Sequence, residues 1–404
     1  MKILVLNSGS SSIKYQFIDI SEGNEPLAKG SVTRIGMKGA ILDHKRQDGD
    51  SVKIVGEIID HQAAIEYILA ILLSPNHGVI KNREEIEAVG HRVVHGGEEF
   101  TDSVEISPEV MNGLHECIEL APLHNPHNIK GIQACQKLLK NIPMVGVFDT
   151  VFHHKIPDYA YIYGLPYLLY KRYGIRRYGF HGTSHYYVSQ RAALLAEKPI
   201  SELKMITVHL GNGCSIAAVD GGVSIDTSMG FTPLEGLLMG TRSGDIDAGA
   251  VMHIMSREEL SLGEINTLLN KHSGLMGISG TSSDMREITE EMEDGNDRSR
   301  LAFQVFSYRV KKYIGAYAAA MGGLDVIVFT GGIGENSQQV RKETLSGMQF
   351  LSIDIEENLN NSQVSGERKI STESSQVSVY VIPTNEELVI AQETERIINQ
   401  KNDV

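Results

Sequence analysis

The alternation of hydrophobic and polar residues at the start of the chain predicts two strands joined by a small polar turn. Residues 1–6 are a run of strand length that is apolar except for Lys2, and Ile13, Tyr15 and Phe17 alternate with polar residues in the next segment. The turn between them, Asn7–Ser12, contains only Asn, Gly and Ser. Such a turn exposes backbone N–H groups and hydroxyls, which can bind an anion such as phosphate. A plain polar hairpin explains this segment equally well.

The same pattern occurs twice more along the chain. A predicted strand at residues 205–210 precedes the small polar turn Gly211–Ser215, and another at residues 326–330 precedes a third turn, Gly331–Asn336. Three strand-then-glycine turns predict two related lobes that close on one polyanion. Neither a P-loop nor a dinucleotide fingerprint is present, because the required glycine and lysine spacings do not occur.

The remaining periodicity predicts alternating strands and helices, which implies a parallel or mixed sheet. Predicted strands cover 29–55 (antiparallel), 86–94, 144–148, 216–222 and 377–382. Predicted helices cover 60–73, 126–139, 184–195 and 299–321, with one more starting at Ser107-Pro108 and a last one capped by Thr384 and Asn385. Residues 258–297 are predicted to be mainly helical. The tyrosine-rich residues 151–178 are predicted to form loops and short helices, and such a surface is common at oligomer interfaces.

Composition and charge narrow the function classes. The chain has 404 residues, 41% of them hydrophobic and 22% charged, which is typical of globular material in two or three domains. A net charge of -14 argues against nucleic acid or an anionic membrane as partner. Cys117, Cys135 and Cys214 lack C-x-x-C spacing, so buried free thiols are expected. Neither a signal peptide nor an apolar run of ~20 residues is visible, so a cytoplasmic protein is expected.

Four polar residues stand where apolar strands end or beside glycines, the positions at which α/β proteins bind ligands. They are Arg92, Asp149, His181 and Arg242. A glycine-flanked arginine can bring its guanidinium close to a planar anion and bind it with two hydrogen bonds. A structural ion pair is the equally open alternative for each arginine.

Zinc and serine-hydrolase chemistry are not expected. His91 and His95, like His181 and His185, are four residues apart, but both pairs lie in glycine-broken segments where helical spacing should carry little meaning. No H-E-x-x-H sequence occurs, and no G-x-S-x-G follows a strand.

Six ordered segments together resemble the acetate kinase family, and the resemblance extends from Lys2 to the last helix. The segments are Asn7–Lys14, Gly179–His185, His209–Gly213, Met239–Asp245, Thr330–Asn336 and Pro383–Glu387. The resemblance implies an α/β protein with the two-lobed actin-like ATPase fold and a duplicated ββαβαβ core of the ribonuclease H-like type. It implies an N-terminal lobe of residues 1–150, on which the helix 385–404 packs, and a nucleotide-binding lobe of residues 151–384. It also implies a homodimer.

The activity implied by this resemblance is reversible, direct in-line phosphoryl transfer between ATP and acetate, which gives acetyl phosphate and ADP. Mg²⁺ is the implied metal, with Mn²⁺ as a substitute. The implied catalytic residues are Asp149, Arg92, Arg242, His181, Asn212 and His124. Because carboxyl groups have pKa values of ~4, acetate is already ionised near neutral pH. Asp149 is therefore expected to orient the acceptor, directly or through metal, rather than to act as a base.

The resemblance also implies the binding residues. Asn7 and Glu386 would form the metal site, and Arg92, Val94, Leu123, Phe180 and Pro233 would bind acetate and its methyl group. The nucleotide site would comprise Ser10, Ser12, Lys14, His209, Leu210, Gly211, Gly213, Asp284, Met285, Arg286, Gly332, Ile333, Gly334, Glu335 and Asn336. A propionate or butyrate kinase of the same family is a close alternative. An actin-like nucleotide-binding chaperone or filament protein is a different class, but no substrate-binding domain or polymerisation insertion is visible.

Overall fold

The structure is a computed structural model that describes residues 1–362 and 364–402. The chain forms two compact units, which we call unit 1 and unit 2. Unit 1 comprises Met1–Val151 and the C-terminal segment that begins at Asn385, and unit 2 comprises Phe152–Thr384. Within the described ranges, no helix is both long enough and apolar enough to cross a lipid bilayer.

Strands and helices alternate along most of the chain. In chain order, the strands are β1 Lys2–Ser8, β2 Ser12–Asp19, β3 Pro26–Thr33, β4 Ala40–Arg46, β5 Ser51–Gly56, β6 Ala88–Val93, β7 Val104–Glu105, β8 Met144–Phe148, β9 Lys204–Leu210, β10 Cys214–Asp220, β11 Val223–Thr227, β12 Val326–Thr330, β13 Arg368–Lys369 and β14 Ser378–Val381. The helices are α1 His61–Leu72, α2 Pro108–Glu116, α3 Asn125–Leu138, α4 Asp158–Tyr161, α5 Tyr167–Tyr173, α6 Gly182–Leu195, α7 Ala248–Arg257, α8 Leu262–Lys271, α9 Gly274–Ser279, α10 Met285–Glu293, α11 Asp297–Met321, α12 Gly331–Asn336, α13 Gln338–Leu345, α14 Glu357–Asn360 and α15 Glu386–Asn402.

The sheet of unit 1 is covered by helices on both faces of its central strand β1. Successive side chains of a strand point to opposite faces. Leu4 and Leu6 accordingly join the core under α1 and α3, whereas Ile3 and Val5 pack against α15. This double burial explains why residues 3–6 are continuously apolar. The described strands follow the order β5-β4-β3-β2-β1-β6-β8-β7.

Unit 2 repeats the core of unit 1. Its described strands follow the order β11-β10-β9-β12-β14-β13, with β9 antiparallel to β10 and parallel to β12. The series β3-β2-β1-β6-β8 in unit 1 has the same directions, since β1 is antiparallel to β2 and parallel to β6. The predicted duplicated α/β core, and with it the predicted fold class, is confirmed.

Two local predictions differ from the structure, and one helix was not predicted. The third small polar segment is not an open turn, because α12 begins directly at Gly331. Gly331 has φ +77°, and a β-carbon there would lie 2.7 Å from the carbonyl oxygen of Leu210, so only glycine fits. Helix α7 was not predicted, because Gly249 in its first turn weakens the helical pattern.

Helix α6 begins at Gly182, two residues before its predicted start, and His181 is its N-cap residue. His181 and His185 therefore bracket one helical turn. For this pair, the expectation that the four-residue spacing carries little helical meaning is wrong.

Candidate functional site

Three predicted residues of unit 1 come together because they lie at the carboxyl ends of adjacent parallel strands. Asn7 is in β1, Arg92 is in β6, and Asp149 follows β8 directly. The ends of neighbouring parallel strands meet at one edge of the sheet, which is the usual ligand-binding edge of such sheets. The topology thus groups residues that are far apart in sequence.

Arg92 and Asp149 form a bidentate ion pair at this edge. Arg92 Nε lies 2.9 Å from Asp149 Oδ1, Nη2 lies 2.6 Å from Oδ2, and Nη1 lies 3.4 Å from Asn7 Oδ1. Burial opposes the charge of the guanidinium, but Asp149 and Glu386 outweigh that effect, so the pKa of Arg92 is raised. The structural alternative for Arg92, an ion pair, is therefore present, and anion binding by its guanidinium stays a prediction.

Glu386, at the first position of α15, adds negative charge to this group. Its pKa is raised to about 7, mainly by burial; Asp149 and Glu387 act in the same direction, whereas Arg92 and Lys14 lower the pKa. A raised pKa means that the ionised form of this buried carboxylate is poorly stabilised. A bound cation would stabilise that form.

The predicted metal site of unit 1 offers an amide oxygen and a carboxylate. Among the described residues, no group of three or more His, Cys, Asp or Glu side chains could hold a metal ion. Mg²⁺ commonly binds one or two carboxylates and completes its shell with water and substrate phosphates. The oxygens of Asn7 and Glu386 are ligands of that kind.

The other predicted residues of unit 1 lie in different surroundings. Val94 follows β6 and is only 8% exposed, and its backbone N–H donates to Asn128 Oδ1 at 3.1 Å. Leu123 is 53% exposed, and His124 precedes α3. Ser10 and Ser12 lie in and after the β1–β2 turn, and Lys14 lines a concave face of the sheet with Lys29, Lys45 and Lys53.

In unit 2, His181 is fixed by the start of α6. It has φ 57°, in the left-handed region, where a non-glycine residue is uncommon. Its ring stacks on that of His209 with centroids 4.3 Å apart, and its Nδ1 lies 2.9 Å from Ser215 Oγ. His209 Nδ1 in turn lies 2.8 Å from Ser184 Oγ. The His181 ring therefore has a defined orientation.

Arg242 is a partly buried cation without a carboxylate partner among the described residues. Its Nη1 donates to the carbonyl oxygen of Pro233 at 3.3 Å, and burial lowers its pKa. A β-carbon added to Gly213 would lie 3.4 Å from Arg242 Nη1 and also 3.4 Å from His181 Nε2. The two side chains therefore border the same small space, where an anion would balance the guanidinium charge.

A larger cavity within unit 2 collects most of the predicted nucleotide-binding residues of that unit. It has a volume of ≈ 990 Å³, enough for a nucleoside phosphate. Its lining includes Gly211, Asn212, Asp284, Met285, Arg286, Gly332, Ile333 and Asn336.

Five predicted nucleotide-binding residues of unit 2 are not among the cavity-lining residues named above. One is His209, whose ring stacks on that of His181. Leu210 and Gly334 are buried, and Gly213 borders Arg242. Glu335 Oε1 accepts the backbone N–H of Gly331 at 2.9 Å, and burial raises the pKa of Glu335. Phe180 is 2% exposed, and its carbonyl oxygen accepts from His153 Nε2.

The sequence analysis missed the residues that support His181. His185 Nε2 lies 2.7 Å from Ser215 Oγ, and His185 Nδ1 lies 2.7 Å from Thr207 Oγ1. The four-residue spacing of His181 and His185 was the signal that could have revealed half of this group. Nothing in the sequence linked it to Ser215 and Thr207, which lie on two different strands.

The chain is similar to known proteins over almost its whole length. The profile of the acetokinase family matches residues 2–392. An acetate kinase of Halothermothrix orenii is 54% identical over 398 residues, covering 98% of this chain and 100% of that protein. The corresponding protein of Symbiobacterium thermophilum is 56% identical over 401 residues, covering 99% and 100%.

Two crystal structures superpose closely on this chain. That of Porphyromonas gingivalis acetate kinase has a TM-score of 0.94 at 49% identity and covers 98% of this chain and 99% of that one. That of a propionate kinase from Francisella tularensis has a TM-score of 0.91 at 42% identity, with the same coverage.

Proposed function

The chain belongs to the acetokinase family, and we propose that it transfers a phosphoryl group reversibly between ATP and acetate, giving acetyl phosphate and ADP. The protein is thus a kinase whose acceptor is a carboxylate. The observation that carries the proposal is Arg242, whose partly buried guanidinium lacks a carboxylate partner among the described residues and borders the same space as His181.

The donors in unit 2 suit the transferring phosphoryl group. Phosphoryl transfer passes through a loose transition state with charge on the equatorial oxygens, so catalysis comes mainly from positioning and from cationic or N–H donors. Arg242 supplies charge and two-point geometry, and His181 and Asn212 supply further polar contacts. Because burial lowers the pKa of Arg242, an anion that binds beside its guanidinium would stabilise the charged form that burial disfavours.

The unit 1 residues suit the carboxylate acceptor and the metal. Arg92 is oriented by its ion pair with Asp149, so one edge of its guanidinium is fixed and the remaining N–H groups can bind acetate. Asp149 orients rather than deprotonates, since acetate is already ionised. Asn7 and Glu386 would hold Mg²⁺, which neutralises phosphate charge when bound. Mn²⁺ prefers similar oxygen ligands and would substitute.

We also propose where the nucleotide and the acetate methyl group bind, following the resemblance to the family. The cavity of ≈ 990 Å³ would receive ATP or ADP. Val94, Leu123, Phe180 and Pro233 would surround the acetate methyl group. Propionate is the alternative acceptor, because the similar Francisella tularensis protein is a propionate kinase.

We propose the lobe division 1–150 with 385–404 and 151–384, a cytoplasmic location and a homodimer. Support for the dimer comes from large apolar side chains exposed in one tyrosine-rich segment of unit 2, namely Tyr159, Leu165, Tyr167, Leu168 and Tyr173. Light scattering of wild type and Leu168→Glu tests this, with Leu262→Glu as a control that is also exposed. A monomeric wild type would contradict the dimer.

The test of the activity is ADP release by wild type and Arg242→Ala, with and without acetate. We expect release to depend on acetate and Mg²⁺, and we expect Arg242→Ala to lower kcat by about 10²–10³-fold with an unchanged circular dichroism spectrum. ADP release that ignores acetate would favour an actin-like nucleotide-binding protein instead.

A further inference from the structure

A chain of four side chains in unit 2 runs from a buried strand to His181. The consecutive contacts are Thr207 Oγ1 to His185 Nδ1 at 2.7 Å, His185 Nε2 to Ser215 Oγ at 2.7 Å, and Ser215 Oγ to His181 Nδ1 at 2.9 Å. Thr207, His185 and Ser215 are all fully buried. These three side chains therefore have to find their hydrogen-bond partners within this series of contacts.

His185 is neutral in this environment. Burial lowers its pKa well below the usual value, and the nearby rings of His153 and His209 act in the same direction. A neutral imidazole has one N–H donor and one acceptor nitrogen. Ser215 Oγ has no other hydrogen-bond partner among the described residues, so its hydroxyl hydrogen has to go to His181 or to His185. The four side chains can then be arranged in only two ways, which run in opposite directions.

The count of hydroxyl hydrogens separates the two directions. If His181 Nδ1–H donates to Ser215, then Ser215 donates to His185 Nε2 and His185 Nδ1–H donates to Thr207. In that arrangement the Thr207 hydroxyl hydrogen has no acceptor, because His185 Nδ1 is the only side-chain partner of Thr207 Oγ1 in the described part of the chain. A buried hydroxyl without an acceptor is strongly disfavoured.

In the opposite direction every donor has an acceptor. The Thr207 hydroxyl donates to His185 Nδ1, His185 Nε2–H donates to Ser215 Oγ, and the Ser215 hydroxyl donates to His181 Nδ1. The remaining ring hydrogen of neutral His181 is then on Nε2, the atom that borders the same space as Arg242 Nη1. This inference rests on the proposed function for its catalytic meaning but not for its hydrogen-bond assignment.

We propose that Thr207, His185 and Ser215 are positioning residues that fix His181 as the Nε2–H tautomer, so that neutral His181 donates a hydrogen bond to the anionic phosphoryl group. An oxygen of a phosphoryl group only accepts hydrogen bonds, so the other tautomer would present a lone pair to it. The relay thus removes the need to protonate His181 before it can bind the anion.

The experiment is nitrogen NMR of ¹⁵N-histidine-labelled protein without substrates, combined with steady-state kinetics. A proton-bearing ring nitrogen and a bare one resonate far apart, and His181→Gln identifies the His181 signals. Wild-type His181 is expected to show a bare Nδ1 and a protonated Nε2. Thr207→Val removes the hydroxyl at nearly constant volume and should give a mixture of tautomers, whereas Thr207→Ser should restore the wild-type pattern.

We expect kcat to fall about 3- to 10-fold in Thr207→Val, because the hydrogen bond that favours the Nε2–H tautomer is lost. In Thr207→Ser kcat should recover. Thr344→Val is the matched control, because Thr344 is also fully buried but its hydroxyl has no hydrogen-bond partner in the described structure. A protonated Nδ1 in wild-type His181, or an unchanged tautomer in Thr207→Val, would overturn the relay. A changed tautomer with unchanged kcat would overturn its catalytic part. Wild type without acetate-dependent activity would instead refute the proposed function and leave the NMR assignment standing.

Discussion

Arg92 and Asp149 form a bidentate ion pair in which Asp149 is almost completely shielded from solvent, its side chain being 1% exposed. Removing one member of a buried pair leaves the other charge uncompensated, which typically costs about 3–5 kcal/mol. The arginine therefore supports the fold as well as the proposed chemistry.

Arg92→Ala should lower the thermal unfolding midpoint by about 5–15 °C because Asp149 becomes an unpaired buried charge. Arg242→Ala is the matched control. Arg242 has no carboxylate partner among the described residues, so its removal strands no anion and should shift the midpoint far less. Differential scanning calorimetry of both variants measures the two shifts. Equal shifts would show that the Arg92–Asp149 ion pair does not stabilise the fold more than Arg242 does.

Gly213→Ala should lower kcat/KM at least about 10-fold while the protein stays folded. The added methyl group would lie 3.4 Å from both Arg242 Nη1 and His181 Nε2, so it takes the space that a phosphoryl oxygen needs. Gly315→Ala in α11 is the control, because no atom beyond its neighbours in the chain and the backbone of its own helix lies within 4 Å of its added β-carbon. Wild-type kinetics in Gly213→Ala would mean that the anion binds elsewhere.

Val94→Ala should raise kcat/KM for propionate relative to acetate by roughly 10-fold, since one methylene in a pocket is worth ~1–3 kcal/mol. Val94 is buried, and its backbone is anchored by Asn128, so truncation should enlarge a local space without moving the strand end. The change should lie mainly in the acyl KM, and the KM for ATP should stay the same. An unaltered acetate-to-propionate ratio would remove Val94 from the acyl pocket.

His153 should make the protein sensitive to acid. Its Nε2–H donates to the carbonyl oxygen of Phe180, its Nδ1 lies 2.7 Å from Ser224 Oγ, and burial lowers its pKa to about 4. The pKa in the unfolded chain is ~6.5, so the unfolded state binds more protons between these values and stability falls as the pH drops below ~6.5.

From about pH 7.5 to about pH 5 this residue alone should cost about 2 kcal/mol. His153→Gln should be less stable than wild type at the higher pH but should lose about 2 kcal/mol less on acidification. Urea unfolding followed by circular dichroism measures both losses. Equal losses in the two proteins would assign the acid sensitivity to other groups.

The sequence predicted those features that depend on local pattern. The apolar run in β1 and the polar residues at the ends of β6 and β8 were sufficient to predict the sheet and to group Arg92 with Asp149. Gly331 was predicted to belong to a small polar turn, because glycine content alone does not distinguish a turn from the abrupt start of a helix.

Long-range hydrogen bonding was beyond prediction from the sequence. Thr207 and Ser215 look like ordinary polar residues in strands, and only the pairing of β9 with β10 and the start of α6 bring them to His185. The absence of a carboxylate beside Arg242, in the described structure, is likewise a property of the folded chain. Such a feature leaves no mark in local composition.

The most direct test of the account is the formation of acyl phosphate from Mg·ATP with acetate, propionate and butyrate, measured side by side with ADP. We predict one acyl phosphate for each ADP released and the highest kcat/KM for acetate. A higher kcat/KM for propionate, or ADP released without acyl phosphate, would contradict it.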